Sequence, residues 1–165
     1  MIFKPIGIIH TPYAQDSTVP YQPVDMERDA QNLFFVDIEP DYTSGLDRLD
    51  SFQYIYLLYH LDRPRHPTTS YVQPPWAGGV NVGVFATRAP SRPNPIGLSI
   101  VRLFSVYGSR LFTSSIDVFD NTPVLDIKPY IRELDSKTDA NYGWVEELPN
   151  RDHLLLHIKG VPHDY

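Results

Sequence analysis

Sixteen prolines and nine glycines punctuate this chain, and the runs between them are mostly short. Proline fixes φ and removes a backbone donor, so it is excluded from helix interiors. Frequent punctuation of this kind favours strands over helices. Phe3 to His10, interrupted by Pro5, reads as a first strand, and Leu33 to Ile38 as a second. Tyr54 to Leu61 is a continuous apolar and aromatic run, as expected for a strand buried on both faces, although a buried helix segment shares that pattern. Val80 to Thr87, Leu98 to Tyr107, Arg110 to Phe119, Val124 to Ile131 and Leu154 to Lys159 supply further strands. Loops are expected over 11–25 and 62–79, and one short helix over Thr43 to Leu49, with Ser44 as a possible cap. About seven strands with turn signals between them imply a mainly β barrel or sandwich with long loops and little helix. No repeat or boundary divides residues 1–165, which read as a single domain.

Gly108-Ser109 is a two-residue hairpin signal between two of these strands. In the second arm Phe112, Ile116 and Val118 fall on one face, and Thr113, Ser115 and Asp117 on the other. In the first arm the apolar parity shifts between Ile100 and Val101, which predicts a bulge there.

Composition narrows the functional classes. With 42% hydrophobic and 21% charged residues the chain is ordinary globular material. The absence of cysteine excludes a disulfide scaffold, a cysteine–zinc site and a thiol nucleophile, and fits a reducing compartment. No stretch approaches the roughly 20 apolar residues of a membrane span. Met1 to Gly7 lacks a sustained apolar region, so no secretory signal is expected and the cytoplasm is the expected location. The formal charge of −6 works against a broad phosphate-binding surface, but net charge averages over the surface and leaves room for a local basic groove.

Gly83 to Ser99, GVFATRAPSRPNPIGLS, is the most informative segment. Arg88 and Arg92 stand four apart, but Pro90, Pro93 and Pro95 forbid a helix that would align them. The prolines bias their predecessors, Asn94 among them, towards extended conformations, which makes a stiff loop. Its guanidinium groups suit a carboxylate or phosphate, or else are simply solvated on a rigid connection. A second cluster surrounds the turn Asp120 to Pro123. After it, Asp126, Lys128 and Tyr130 alternate along one strand and so share one face, which meets either solvent or a site. Among the six histidines only His153 and His157 show a suggestive spacing, and no metal site is expected. Gly78, Gly79 and Gly83 do not form a dinucleotide-binding fingerprint, and there is no phosphate-binding loop.

IGIIHTPY (Ile6 to Tyr13), GVFATRAPSRPNPIGLS and TPVLDIKPYI (Thr122 to Ile131) together resemble the TsaA-like, or TrmO, family. The resemblance covers about Ile6 to Ile131 and implies a small, dimeric β-barrel that binds S-adenosylmethionine near the subunit interface. It implies a tRNA adenosine N6-methyltransferase acting on threonylcarbamoyl-adenosine just 3′ of the anticodon. Carried over by matching segment, Pro20, Tyr21, Gln22, Leu61, Asp62, Arg88, Leu98, Ile116 and Asp117 would bind the donor. An arginine suits the donor's carboxylate, Asp117 its hydroxyls, and an aromatic such as Tyr21 or Phe85 its sulfonium. Asp126 and Asp117 are candidate bases, with Lys128 and Tyr130 orienting the acceptor, and Arg92 and Asn94 would meet the substrate.

Three positions depart from the family pattern. Tyr21 stands where bacterial members tend to carry arginine, Asp62 where many have histidine, and Asn121 where the turn usually has glycine. The C-terminal domain of longer bacterial relatives is expected to be missing. An enzyme using the same donor on another acceptor, and a donor-binding sensor without turnover, are the alternatives to a tRNA methyltransferase.

Overall fold

The computed structural model describes residues 2–15, 19, 33–63, 67–149 and 156. Its strands are β1 (Gly7–His10), β2 (Phe35–Ile38), β3 (Tyr54–His60), β4 (Tyr71–Val72), β5 (Val82–Gly83), β6 (Ile96–Tyr107), β7 (Arg110–Thr113) and β8 (Thr122–Pro129). Helix is scarce: one four-residue α-helix, α1 (Arg132–Asp135), and five short 3₁₀ turns among the described residues. The chain divides into two compact units. Unit 1 comprises Met1–Arg63 and Ile96–Tyr130, and unit 2 comprises Pro64–Pro95 and Ile131–Tyr165.

Unit 1 holds six antiparallel strands in the order β1-β2-β7-β6-β3-β8, and β8 returns to β1 through Gly7↔Val124. The ring of pairings therefore closes on itself. Period-two burial explains its inside. Along β3, Ile55, Leu57 and Tyr59 point inwards and join Ile9, Val36, Val101, Leu111 and Val124 in one core. The outward face of β3 (Tyr54, Tyr56, Leu58, His60) is half-buried to exposed, so this strand is not buried on both faces as its apolar run suggested. Tyrosines tolerate that position because the hydroxyl end can remain wet.

The hairpin at Gly108-Ser109 is present: Tyr107 pairs with Arg110, and Gly108 takes φ 60. Only its first turn residue needs the left-handed region, which is the pattern of a type II′ turn. Other details differ from expectation. The register break in β6 falls between Leu103 and Ser105 rather than at Ile100. Ile96, Leu98 and Ile100 all point outwards and are exposed, so their apolar run does not report the core face. In β7 the expected parity is reversed. Leu111 and Thr113 are buried, while Phe112 is half-exposed and lies 6.2 Å from the Phe35 ring. The strand ends at Thr113, so strand parity cannot be carried on to Ile116 and Val118.

β1 and β2 begin later than expected, and Val80 to Thr87 is mostly not strand. Only Val82–Gly83 pairs, after which Val84–Ala86 coils into a 3₁₀ turn. The expected helix near Thr43 is instead a 3₁₀ turn over Pro40–Leu46, started by Pro40 and without a side-chain cap from Ser44. The loop over 62–79 contains β4 and a further 3₁₀ turn, Pro75–Ala77. The strand expected over 154–159 falls outside the described residues apart from Leu156.

Candidate functional site

In unit 1, β8 places Asp126 and Lys128 on the outer face of the ring, where they pair with Leu58 and Tyr56 of β3. Lys128 Nζ lies 2.7 Å from Asp126 Oδ2, and the Ile127 amide donates to Asp126 Oδ1 at 2.9 Å. Tyr130 completes this face, its ring 5.6 Å from Tyr56 and 6.4 Å from Tyr54. Asp126 and Lys128 thus form an ion pair on this face, and Tyr130 joins Tyr54 and Tyr56 of β3 in a tyrosine trio. Leu98, 55% exposed, sits on the same outer face, paired with Leu58.

The segment after β7 carries two of the carried-over donor residues, and they differ. Ile116 is a core residue at 1% exposure, so only its backbone remains for a ligand. Asp117 is half-exposed. Its charge lies close enough to Tyr13 to raise that phenol's pKa, although burial of the ring is the larger cause. Asn121, in the turn that follows, has φ 64. The backbone there needs the left-handed region, and asparagine is the non-glycine residue that tolerates it best. The replacement of the family's usual glycine is therefore conformationally conservative. Asn121 Nδ2 also donates to Asp120 Oδ2 at 2.8 Å.

Leu61 packs against the core, and Asp62 Oδ1 accepts from Arg63 Nε at 3.0 Å. Arg63 was not singled out from the sequence, yet it links this strand end to the turn beyond Asp117. Its Nη2 donates to the Asp120 carbonyl at 2.9 Å and to Thr122 Oγ1 at 3.3 Å, and its guanidinium lies over the Phe119 ring. A second unforeseen cluster lies at His10. Its Nδ1 is 3.2 Å from Asp120 Oδ1, and its Nε2 is 3.5 Å from Asp37 Oδ2. Arg110 grips Asp37 with two bonds of 2.7 and 2.8 Å and covers the Phe35 ring at 4.1 Å. Hydrogen bonding from Arg110 holds the Asp37 carboxyl below its usual range, against a smaller push upwards from partial burial.

In unit 2 the stiff loop presents its two arginines differently. Arg92 is half-buried, and its Nη1 donates to the carbonyls of Thr87 and Ala89 at 3.3 Å each. It holds the loop from within. Arg88 and Asn94 are exposed. Pro20, Tyr21 and Gln22 lie outside the described residues, as do His153 and His157. Among the described residues no group of three or more histidines, aspartates or glutamates could hold a metal ion, and no helix is long and apolar enough to cross a membrane.

Comparison with known proteins places this arrangement. The family model of the tRNA-methyltransferase O N-terminal domain matches residues 8–136. A protein of Pyrococcus abyssi (strain GE5 / Orsay) named as a probable S-adenosyl-L-methionine-binding protein is 39% identical over 145 residues, which is 88% of this chain and 76% of that one. The tRNA (adenine(37)-N6)-methyltransferase of Escherichia coli (strain K12) is 34% identical over 156 residues, which is 89% of this chain and 65% of that enzyme. A crystal structure of TrmO from Pseudomonas aeruginosa superposes with a TM-score of 0.67 at 34% identity, over 87% of this chain and 62% of that one. The chain thus spans less than two thirds of the length of the last two. The matched residues run from β1 through α1, and a match of that extent makes this chain a member of the tRNA-methyltransferase O N-terminal domain family.

Proposed function

We propose that the protein is an S-adenosylmethionine-dependent methyltransferase that methylates N6 of threonylcarbamoyl-adenosine beside the tRNA anticodon. The family match over residues 8–136 carries this reading. Two relatives' names support it, one naming the donor and the other the reaction.

The residues present fit the donor's chemistry. In unit 1, exposed Leu98 and half-exposed Leu61 offer apolar surface to an adenine, and the Asp117 carboxylate suits ribose hydroxyls. In unit 2, the exposed guanidinium of Arg88 suits an anionic group such as the donor's carboxylate. Asn94, exposed on the same loop, would meet the substrate, while Arg92 keeps the loop in shape. When bound, S-adenosylmethionine supplies an electrophilic methyl group. The acceptor nitrogen carries a carbonyl group and is poorly nucleophilic, so removing its proton assists the reaction. Asp126 is the base in this reading, with Lys128 fixing the carboxylate and Tyr130 positioning the acceptor. Most of the acceleration comes from holding the reacting groups in line.

The same reading takes the closed ring as a small β-barrel and residues 1–165 as one domain, since the chain leaves unit 1 after Arg63, returns at Ile96 and leaves again after Tyr130. It places the protein in the cytoplasm with its tRNA, as a homodimer. Support for a dimer comes from the outward row Ile96, Leu98 and Ile100, an exposed apolar stripe beside Leu58 and Tyr56. The formal charge of −6 favours a second reading, in which the same donor serves another acceptor or a sensing role without turnover. Incubation with methyl-labelled S-adenosylmethionine and total tRNA containing threonylcarbamoyl-adenosine separates them. Label in the N6-methylated nucleoside is the expected result. Donor binding without label would favour the second reading.

A further inference from the structure

Two segments that carry candidate donor residues in unit 1 come from distant parts of the chain. Leu61 and Asp62 follow β3, whereas Ile116 and Asp117 lie between β7 and β8. The β3–β8 ladder reaches only to Tyr59↔Val124, and both segments lie beyond its end.

Arg63 carries a connection past that end. Its Nη2 donates to the Asp120 carbonyl at 2.9 Å and to Thr122 Oγ1 at 3.3 Å, while its Nε donates to Asp62 Oδ1 at 3.0 Å. One planar guanidinium thus bonds to the chain on both sides at once. Its fixed fork of donors allows this, and the single ammonium of a lysine does not reproduce it. The side chain is 22% exposed and lies over the Phe119 ring, which leaves it few other positions. The groups it holds are themselves held. Thr122 is buried at 2%, and its hydroxyl donates to the Phe119 carbonyl at 2.7 Å. The Asp120 amide donates to the Tyr13 carbonyl at 2.8 Å, and Thr11 Oγ1 to the Val118 carbonyl at 2.9 Å. The residues after β1 therefore fix the stretch 118–120 from one side, and Arg63 ties it to the end of β3 on the other.

We propose that Arg63 is a positioning residue for the donor, clamping the strand end that bears Leu61 to the segment that bears Asp117. The inference rests on the donor reading above, in which Leu61 meets the adenine and Asp117 the ribose hydroxyls. Those are adjacent parts of one ligand, so the two protein groups must keep one separation. A pair already clamped at that separation loses less freedom on binding than an unclamped one. Arg63 acts through Leu61 and Asp117 and does not itself touch the donor.

The test compares Arg63→Lys and Arg63→Met with the native full chain by calorimetric titration of two ligands. One is S-adenosylmethionine, and the other is its decarboxylated form, which keeps the adenosine and the sulfonium but lacks the carboxylate. Both variants should bind S-adenosylmethionine about three- to thirtyfold more weakly, and the decarboxylated ligand more weakly by the same factor. Arg63→Lys keeps the charge and a stem over Phe119, so it carries the test alone if Arg63→Met does not fold. In methyl transfer to tRNA the KM for the donor should rise while kcat holds, because saturating donor restores the bound geometry. Native-like donor affinity in Arg63→Lys overturns the clamp while leaving the donor reading intact. A loss confined to S-adenosylmethionine overturns it in favour of direct contact between Arg63 and the donor's carboxylate. A lower kcat with unchanged KM overturns it in favour of a role in the chemical step. Failure of the native protein to bind S-adenosylmethionine overturns both the clamp and the donor reading.

Discussion

Replacing Gly97 with alanine should destabilise the ring through one identifiable ring–backbone contact. Gly97 is buried in β6 and pairs directly with Tyr59 of β3. A Cβ built there would stand 1.9, 2.4 and 2.5 Å from three atoms of the Tyr59 ring. Ordinary carbon–carbon contact is about 3.5–4.0 Å, so the ring must retreat by about 1.5–2 Å. Tyr59 is only 5% exposed and its hydroxyl lies 2.9 Å from Ser99 Oγ, so it has little room to move. Overpacking of this kind costs about 1–3 kcal/mol, and a lost hydrogen bond adds about 1 kcal/mol. Loss of glycine's flexibility in the unfolded chain returns about 0.4–1 kcal/mol, leaving a net cost of about 1–3.5 kcal/mol. Urea unfolding of the native protein, Gly97→Ala, Tyr59→Leu and the double variant measures this directly. The double variant should be more stable than the sum of the single effects allows, because leucine vacates the space that the new methyl needs. Additive costs, or a neutral Gly97→Ala, would refute the reasoning.

Arg110→Met should lower stability at neutral pH, with the deficit closing as the pH falls. The folded-state pKa of Asp37 is depressed, so its contribution is present above the ordinary carboxylate value of about 3.9 and is lost as pH falls through the folded value. Thermal midpoints measured from pH 7 downwards would show it, and a deficit constant with pH would contradict the assignment. Tyr13 should ionise above the ordinary phenol value of 10.0, so the stability it contributes is full below that pH and declines at higher pH. Asp117→Asn should bring its titration only part of the way back, since burial is the larger cause. A complete return, read by NMR of labelled tyrosine, would reverse that order. Asp126→Asn should cut methyl transfer by about 10²–10⁴-fold with donor affinity nearly intact, and loss of donor affinity would refute the base role.

The features legible in the sequence were those coded over a few residues. Gly108-Ser109 announces its turn because the left-handed φ is a property of one residue. The shared face of Asp126 and Lys128 follows from strand alternation alone, and the two form an ion pair. The inward side of β6 was not legible, because Ile96, Leu98 and Ile100 are as apolar as Val101 and Leu103 yet face outwards. Apolarity reports burial in the protein's own core only where no other surface makes use of it. Arg63 and His10 went unnoticed for a different reason. His10 meets Asp120 across 110 residues, and Arg63 reaches the Asp120 carbonyl across 57, distances at which local spacing carries no signal. The two roles of Arg88 and Arg92 likewise depend on which guanidinium turns back to the loop's own carbonyls.

The pairing of β1 with β8 has a consequence for how the chain folds. Gly7 meets Val124 only after nearly the whole of unit 1 has been made, whereas β6 and β7 meet across a two-residue turn. Pairings of such long range carry a large loop-closure entropy and slow the search for the native state. During synthesis the β6–β7 hairpin can form as soon as it emerges, while β1 and β3 each wait for β8. Their open edges are the sites at which a nascent chain is most exposed to aggregation.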